Sequence, residues 1–147
     1  MSRSDFSFFV PLRTRYSEVD AQGVVYTSHY LTYYDIAITE YMRRFGHLSD
    51  LEKVKSGVDV HTVKATVEWK APILVDEEVD VCIRVSRIGR SSMTFTGEIH
   101  RKGEDRAVNF GEVIWVNTDQ KARKAVPFDA DLVARIRATE GDKLVMG

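Results

Sequence analysis

The sequence predicts an α+β fold, in which helices cover one face of an antiparallel sheet of about five strands. One long stretch, residues 30–45, has helical periodicity, and the other long stretches alternate apolar and polar residues as half-buried strands do. Turn residues separate most of these strands at hairpin length. The chain has 147 residues, of which 44% are hydrophobic, and it therefore fits a single domain spanning residues 1–147.

The first predicted strand lies between Phe6 and Tyr16. Apolar side chains occupy every second position from Phe6 to Leu12, which is the period of a strand with one buried face. Pro11 has no N–H to donate to a neighbouring strand. We therefore expect this strand at an edge of the sheet or at a bulge.

A long helix is predicted to follow Gly23. Thr27 or Ser28 would supply the oxygen that caps its first turn, and Gly46 would end it. Glu40 precedes Arg44 by four residues, a spacing at which the two side chains are expected to pair. One face of the helix is predicted to be buried, and its residues are Tyr30, Tyr34, Ala37, Ile38, Tyr41 and Phe45.

Three alternating strands are predicted after a polar loop or short helix at residues 47–57. Gly89 and Gly103 mark the hairpin turns after the second and the third of them. Each strand has one side predicted to face the core. These sides are Val63, Ala65, Val67 and Trp69; Val79, Val81, Ile83 and Val85; and Met93, Phe95, Gly97 and Ile99.

The last strand and a terminal helix complete the prediction. Residues from Ala107 to Val116 are apolar on both faces, which is typical of a strand in the middle of a sheet. Asn109, Gly111 and Glu112 are at odds with such a uniformly apolar environment. Apolar residues at helical spacing between Pro127 and Gly141 predict a short helix.

Composition excludes several classes of partner. The net charge is −1, with 21 basic and 22 acidic residues interspersed, so neither nucleic acid nor an anionic membrane is expected to bind. A single cysteine, Cys82, favours a reducing compartment, and the chain shows neither a convincing signal peptide nor a long apolar run. We expect a cytoplasmic protein. The four histidines have no ligand spacing, so no metal is expected.

An aspartate stands directly before the predicted helix. Asp20 would lie in a turn near the positive end of the helix dipole, and a turn aspartate is the common explanation of Asp-x-x-Gly. The longer string from Asp20 to Ala37, D-x-x-G-V-V-Y-x-x-x-Y-x-x-Y-x-x-x-A, resembles the signature of hotdog-fold acyl-CoA thioesterases. The nearest likeness is to the YbgC-like and 4-hydroxybenzoyl-CoA thioesterase group. The stretch EWKAPILVDEEVDVCIRVSRIGRSSMTF of this chain is also similar to the central strands of that group.

The resemblance implies a hotdog fold, with one long central helix on a curved antiparallel sheet. It also implies hydrolysis of an acyl-CoA thioester to a free carboxylic acid and CoA. Asp20 would act as nucleophile or general base, and the backbone N–H of Thr27 would polarise the thioester carbonyl. Many members of the group carry histidine at the position of Thr27. No cofactor is expected, because coenzyme A is part of the substrate.

Substrate contacts are expected in two regions. In the signature, the resemblance points to Gly23, Val24, Tyr26 and Tyr30. Phosphates of coenzyme A need basic side chains and free amides in turns. Two turns offer them, and their candidate residues are Arg87, Arg90 and Ser91 in the first and Arg123 in the second. Composition alone favours an ordinary solvated turn in both. The string Arg-Ile-Gly-Arg-Ser-Ser of the first turn resembles the family, which makes the two explanations equal there. Many relatives carry glycine where this chain has Ala122. The second turn is therefore the weaker candidate for binding phosphate.

Two other carboxylates have explanations outside the predicted site. Glu18 is interpreted as a solvated charge at a strand edge, and Glu40 as the partner of Arg44. The alternative function is a non-catalytic acyl-thioester-binding protein of the same fold. A dehydratase of this fold is the third hypothesis, but it would need a histidine base, and none of the histidines is expected in a suitable loop. The group joins its sheets edge to edge, so we expect a homodimer at least and a homotetramer by pairing of dimers. The sequence leaves the identity of the acyl group open.

Overall fold

A five-stranded antiparallel sheet forms the centre of the computed structural model, which describes residues 2–47 and 55–147. Its strands are β1 (Phe9–Arg13), β2 (Val58–Trp69), β3 (Glu78–Ile88), β4 (Ser92–Arg101) and β5 (Ala107–Asp119). The order across the sheet is β1-β3-β4-β5-β2. The predicted fold class is confirmed, as is the edge position of the strand that contains Pro11. The loop or short helix predicted for residues 47–57 falls largely outside the described residues.

Two helices lie on one face of this sheet. They are α1 (Thr27–Arg43) and α2 (Ala130–Glu140), and their buried side chains join those of the strands in one core. The Tyr41 hydroxyl of α1 donates a hydrogen bond to the buried Glu140 carboxylate of α2. Neither helix has an apolar run long enough to cross a bilayer. Two short strands, β6 (Lys124–Ala125) and β7 (Val145–Met146), extend the sheet beside β5 and β3.

The buried face of α1 is the predicted one, since all six residues expected in the core are buried. Its start differs from the prediction, because Tyr26 is the N-cap and no side chain caps the helix. Glu40 bonds Arg43 at 3.2 Å, rather than Arg44. The guanidinium of Arg44 instead stacks on the ring of Phe8, at 4.4 Å from its centroid.

Tyr34 explains two of the three residues of β5 that looked out of place, Asn109 and Gly111. Its hydroxyl donates to the Asn109 side-chain oxygen at 2.7 Å. Its ring fills the space above Gly97 and Gly111, where a Cβ atom would approach ring carbons to within 2.6 and 2.4 Å. Asn109 and Gly111 of β5 and Gly97 of β4 therefore accommodate one tyrosine of α1, which fixes the helix across the middle of the sheet.

The face of β2 predicted to be buried is largely exposed. Val63 is 60% and Trp69 48% exposed, and Ala65 is also exposed. The cause is topological, since β2 is an edge strand of the described sheet and a bulge between Thr62 and Lys64 shifts its alternation. The predicted inner faces of β3 and β4, by contrast, are buried.

Candidate active site

A pocket of about 380 Å³ opens beside the N-terminus of α1. The loop before the helix, the first turn of the helix and the segment after β2 form its walls. The lining residues are Asp20, Gln22, Val24, Val25, Thr27, Tyr30, Trp69, Lys70, Ala71 and Pro72. A carboxylate, a helix N-terminus and an apolar wall therefore share one hollow.

The turn that carries Asp20 orients its carboxylate. The Gln22 amide donates to Asp20 Oδ1 at 2.8 Å, and the Gly23 amide donates to the Asp20 carbonyl at 3.0 Å. Gly23 has φ of +76°, a conformation that glycine adopts without strain. The other carboxylate oxygen of Asp20 accepts no hydrogen bond from the described part of the chain. It is the oxygen with capacity for a substrate or a water.

Long-range backbone pairing holds this loop in place. Val24 forms a bridge with Leu74, and the Val25 amide donates to the Ile73 carbonyl at 2.8 Å. The Tyr26 amide donates back to the Glu18 carbonyl at 2.9 Å. The contacts with Leu74 and Ile73 tie the loop to the segment after β2, more than forty residues later in the chain, and the bond to Glu18 closes the loop on itself.

The N-terminus of α1 is open for an acceptor. Thr27 is the first residue of the helix, and its amide donates no hydrogen bond to any described residue. Such unpaired amides carry the positive end of the helix dipole and bind anionic oxygens. Thr27 lines the same pocket as Asp20, so an oxygen bound at this amide would lie within the hollow that the carboxylate faces.

Aromatic rings form the apolar wall. Tyr30 and Trp69 meet edge to face, with ring centroids 5.6 Å apart. Burial raises the pKa of Tyr30, so its phenol stays protonated at neutral pH. Ala71 and Pro72 continue the same wall. The wall offers an acyl chain or an aryl ring an apolar surface.

The signature residues fall into two groups. Asp20, Val24, Thr27 and Tyr30 line the pocket. Gly23 instead shapes the turn, and Tyr26 is the half-exposed N-cap of the helix, with its ring against His29.

Sequence reasoning missed Gln22, Val25 and the stretch from Lys70 to Pro72, and it placed Trp69 on the core-facing side of its strand. Trp69 to Pro72 end a strand far from the loop in sequence. The pairing of Val24 with Leu74 and of Val25 with Ile73 brings them to the loop. The junction of Trp69 with the strand-ending Ala71-Pro72 was the available signal.

The predicted phosphate-binding residues lie at the opposite end of the sheet. Arg87, Arg90 and Ser91 border the turn between β3 and β4, and the Asn117 amide donates to the Ser91 carbonyl at 2.8 Å, next to the turn that carries Arg123. Along β4, Ser92 and Ile99 are seven residues apart, and Ile99 is on the row that contains Asn109 and Trp69. At ~3.3 Å per residue the two ends are more than about 20 Å apart. One chain alone does not bring these residues to Asp20.

In the turn that carries Arg123, two backbone amides already donate hydrogen bonds within the turn. The amides of Lys121 and Ala122 both donate to Asp119 Oδ1, at 3.0 and 3.1 Å. Arg123 follows with φ of +53°, unusual for a residue other than glycine. Its side chain lines a separate hollow of about 340 Å³ with His61, Thr118 and Gln120. A phosphate at this turn would therefore meet the side chain of Arg123 rather than those two amides.

Glu18 is not the solvated edge charge that its position suggested. It ends a short 3₁₀ helix, Tyr16–Glu18, instead of continuing a strand, and only 7% of it is exposed. Its carboxylate accepts hydrogen bonds from the Tyr33 hydroxyl at 2.9 Å and from the Arg15 amide at 2.8 Å. Within the described residues, no group of three His, Cys, Asp or Glu side chains is arranged to hold a metal ion.

Comparisons with known proteins agree on one family. The model of the thioesterase-like superfamily matches residues 14–136. Over 127 residues the chain is 31% identical to the acyl-CoA thioester hydrolase YbgC of Escherichia coli O6:H1, covering 86% of this chain and 93% of that protein.

Two solved structures extend the likeness. A thioesterase from Thermus thermophilus, complexed with coenzyme A and zinc, is similar with a TM-score of 0.77 and 26% identity, over 93% of this chain and 96% of that one. A DHNA-CoA thioesterase from Staphylococcus aureus gives a TM-score of 0.80 over 94% of this chain and 96% of that one. At 23% identity, the second likeness concerns the fold.

Proposed function

The chain belongs to the thioesterase-like superfamily, and on that premise we propose that it hydrolyses acyl-CoA thioesters to a free carboxylic acid and CoA. The observation that carries the proposal is one pocket lined by both Asp20 and Thr27, the residue whose amide is unpaired at the start of α1. Thioester hydrolysis needs both a basic or nucleophilic group and a donor for the oxyanion. The names of the relatives supply the class of substrate.

In the proposed reaction the thioester carbonyl lies between Asp20 and the N-terminus of α1. Asp20 either attacks the carbonyl carbon, which expels the CoA thiolate and leaves an anhydride that water cleaves, or removes a proton from a water that attacks the same carbon. Both routes break the C–S bond and place negative charge on the carbonyl oxygen. The Thr27 amide donates to that oxygen, and the helix dipole adds to its stabilisation.

The acyl group is proposed to lie against Tyr30 and Trp69. The experiment that tests the proposal measures release of free thiol from short-chain, long-chain and aromatic acyl-CoAs. We expect at least one class to be hydrolysed with a kcat/KM of about 10⁴ M⁻¹s⁻¹ or more, the lower end of the usual range for enzymes. No thiol release from any class would contradict the proposal. The absence of a cofactor and a cytoplasmic location stay predictions.

We further propose a homodimer, joined through the exposed edge of β2. The exposed Val63 and Trp69 and the unpaired edge of this 12-residue strand support a strand-to-strand contact. In an antiparallel contact about a two-fold axis, the start of one β2 lies beside the end of the other. The start adjoins the turn that carries Arg123, since the Gln120 amide donates to the Gly57 carbonyl. The partner's Arg123 would then approach the pocket beside Trp69.

We expect light scattering at micromolar concentration to give a mass of at least twice 16.8 kDa. A long exposed edge strand with apolar side chains offers unpaired N–H and C=O groups to a second chain, so we expect another copy to pair with it. Pairing of dimers would double the mass again, as predicted for the tetramer. A fully active monomer at this concentration would contradict both the interface and the shared site.

Arg90→Ala should raise KM for acyl-CoA more than it lowers kcat. Arg90 is exposed in its turn, and a phosphate contact far from the reacting carbonyl is made equally in the ground and transition states. Steady-state kinetics against the same acyl-CoA measure both constants. Arg137→Ala, an exposed arginine of α2, is the matched control and should change neither. A loss confined to kcat would remove Arg90 from the phosphate site.

A further inference from the structure

Glu18 and Tyr33 form a buried pair next to the proposed site, and the reaction itself does not use them. Tyr33 is 2% exposed on the core side of α1, and its hydroxyl donates to Glu18 Oε1 at 2.9 Å. The same carboxylate accepts from the Arg15 amide at 2.8 Å and from the Arg15 guanidinium at 3.3 Å. A buried carboxylate with this many donors holds its neighbours in a fixed arrangement.

The backbone of Glu18 connects this pair to both halves of the site. Glu18 lies two residues before Asp20, and its carbonyl accepts the amide of Tyr26, the residue directly before Thr27. Glu18 therefore bonds Tyr33 in α1 through its side chain and Tyr26, the N-cap of α1, through its backbone. The Asp20 amide donates to the Val24 carbonyl at 2.9 Å, which closes the first half of the loop. The bond between the Glu18 carbonyl and the Tyr26 amide then joins the two ends of the loop, next to Asp20 and Thr27.

Resting on the proposed function, we propose that Glu18 and Tyr33 are positioning residues that fix the distance and orientation between the Asp20 carboxylate and the Thr27 amide. Neither lines the pocket, so neither is expected to touch the substrate. Their effect is geometric, because a misplacement of about 1 Å between reacting groups can reduce a rate by about 10²-fold.

The protonation states suit this role. Burial opposes ionisation of Glu18, but the hydrogen bonds from Arg15 and Tyr33 outweigh it and hold its pKa below the usual range. Burial and the Glu18 carboxylate raise the pKa of Tyr33. The carboxylate thus stays ionised and the phenol stays a donor at neutral pH, which keeps the bond in its stronger, charge-assisted form.

The test compares two tyrosines of the same helix. Tyr33→Phe removes the hydroxyl donated to Glu18, and Tyr41→Phe removes the one donated to the buried Glu140 at the other end of α1. We expect similar losses in melting temperature. Only Tyr33→Phe should lower kcat, by about 10- to 100-fold, with little change in KM. Equal kcat in the two variants would overturn the proposal.

A second measurement does not depend on turnover. Hydrogen exchange at the Tyr26 amide, which donates to the Glu18 carbonyl, should be faster in Tyr33→Phe and unchanged in Tyr41→Phe. Unchanged exchange at Tyr26 in both variants would overturn the positioning role even if the enzyme is active. If the wild-type chain hydrolyses no acyl-CoA and Tyr33→Phe still shows the faster exchange at Tyr26, the failure lies in the proposed function. Glu18→Gln retains an acceptor oxygen and should keep more activity than Glu18→Ala.

Discussion

Asp20→Asn is expected to remove nearly all hydrolysis while leaving the fold intact. The amide has the size of the carboxylate but neither its basicity nor its nucleophilicity, so kcat should fall by about 10²–10⁴-fold or more. The turn should survive, because the asparagine Oδ1 can still accept the Gln22 amide that Asp20 Oδ1 accepts at 2.8 Å. Steady-state kinetics and a thermal melt of the same preparation measure the two effects separately.

Asp129→Asn is the matched control for this substitution. Asp129 also accepts a backbone amide, that of Leu132 at 3.2 Å, and asparagine caps a helix as well as aspartate does. The control should therefore keep wild-type kcat and stability. Full activity in Asp20→Asn would show that another group activates the water or attacks the thioester.

Thr27→Pro is expected to give the second largest loss of activity. Proline at the first helical position removes one N–H that has no intrahelical acceptor, so the helix loses no hydrogen bond. Tyr26, at φ −69° and ψ 146°, already has the conformation that a residue before proline prefers. The variant should stay folded and bind substrate, with kcat lower by about 10²–10³-fold, the usual cost of one oxyanion donor.

Thr27→Ala separates the amide from the side chain. It restores the N–H and removes only the hydroxyl and methyl groups, which are exposed and cap nothing. We expect activity close to that of the wild type. If Thr27→Pro is folded by its melting curve and hydrolyses at the wild-type rate, then this amide does not bind the oxyanion and Asp20 acts with some other donor.

Local patterns were sufficient for most of the fold. The apolar stripe of α1 follows from its spacing alone, and all of its members are buried. The start of α1 was not predictable in the same way, because the Tyr26 amide is held by the Glu18 carbonyl rather than by a cap within the helix. The two-sided apolar pattern of β5 indicated an interior strand, but the reason for Asn109 and Gly111 required the position of the Tyr34 ring.

Alternation does not reveal which surface covers a strand. β2 has the period of a half-buried strand, yet its apolar side is exposed at the sheet edge because no described element of the chain covers it. The predicted burial of the apolar side of β2 is therefore correct only if a second copy of the chain covers that side. The proposed dimer makes that assumption, and the light-scattering experiment tests it.

The site was predictable only where its residues are close in sequence. Asp20 and Thr27 are seven positions apart and enter the pocket together. Trp69 and the residues after it join them through pairing between distant segments, which spacing does not encode. Glu18 was misjudged because the chain turns into a 3₁₀ helix where a strand was expected to continue, which buries its carboxylate against Tyr33.

The most direct test of the central claim counts turnovers. Wild-type protein is incubated with an excess of an acyl-CoA, and free carboxylic acid and CoA are quantified by mass spectrometry. The proposed function predicts equal amounts of both products, many times the molar amount of protein, with Asp20→Asn near the uncatalysed background. Recovery of intact acyl-CoA bound to the wild-type protein, with no more than background release of acid, would contradict hydrolysis and favour the non-catalytic binding protein.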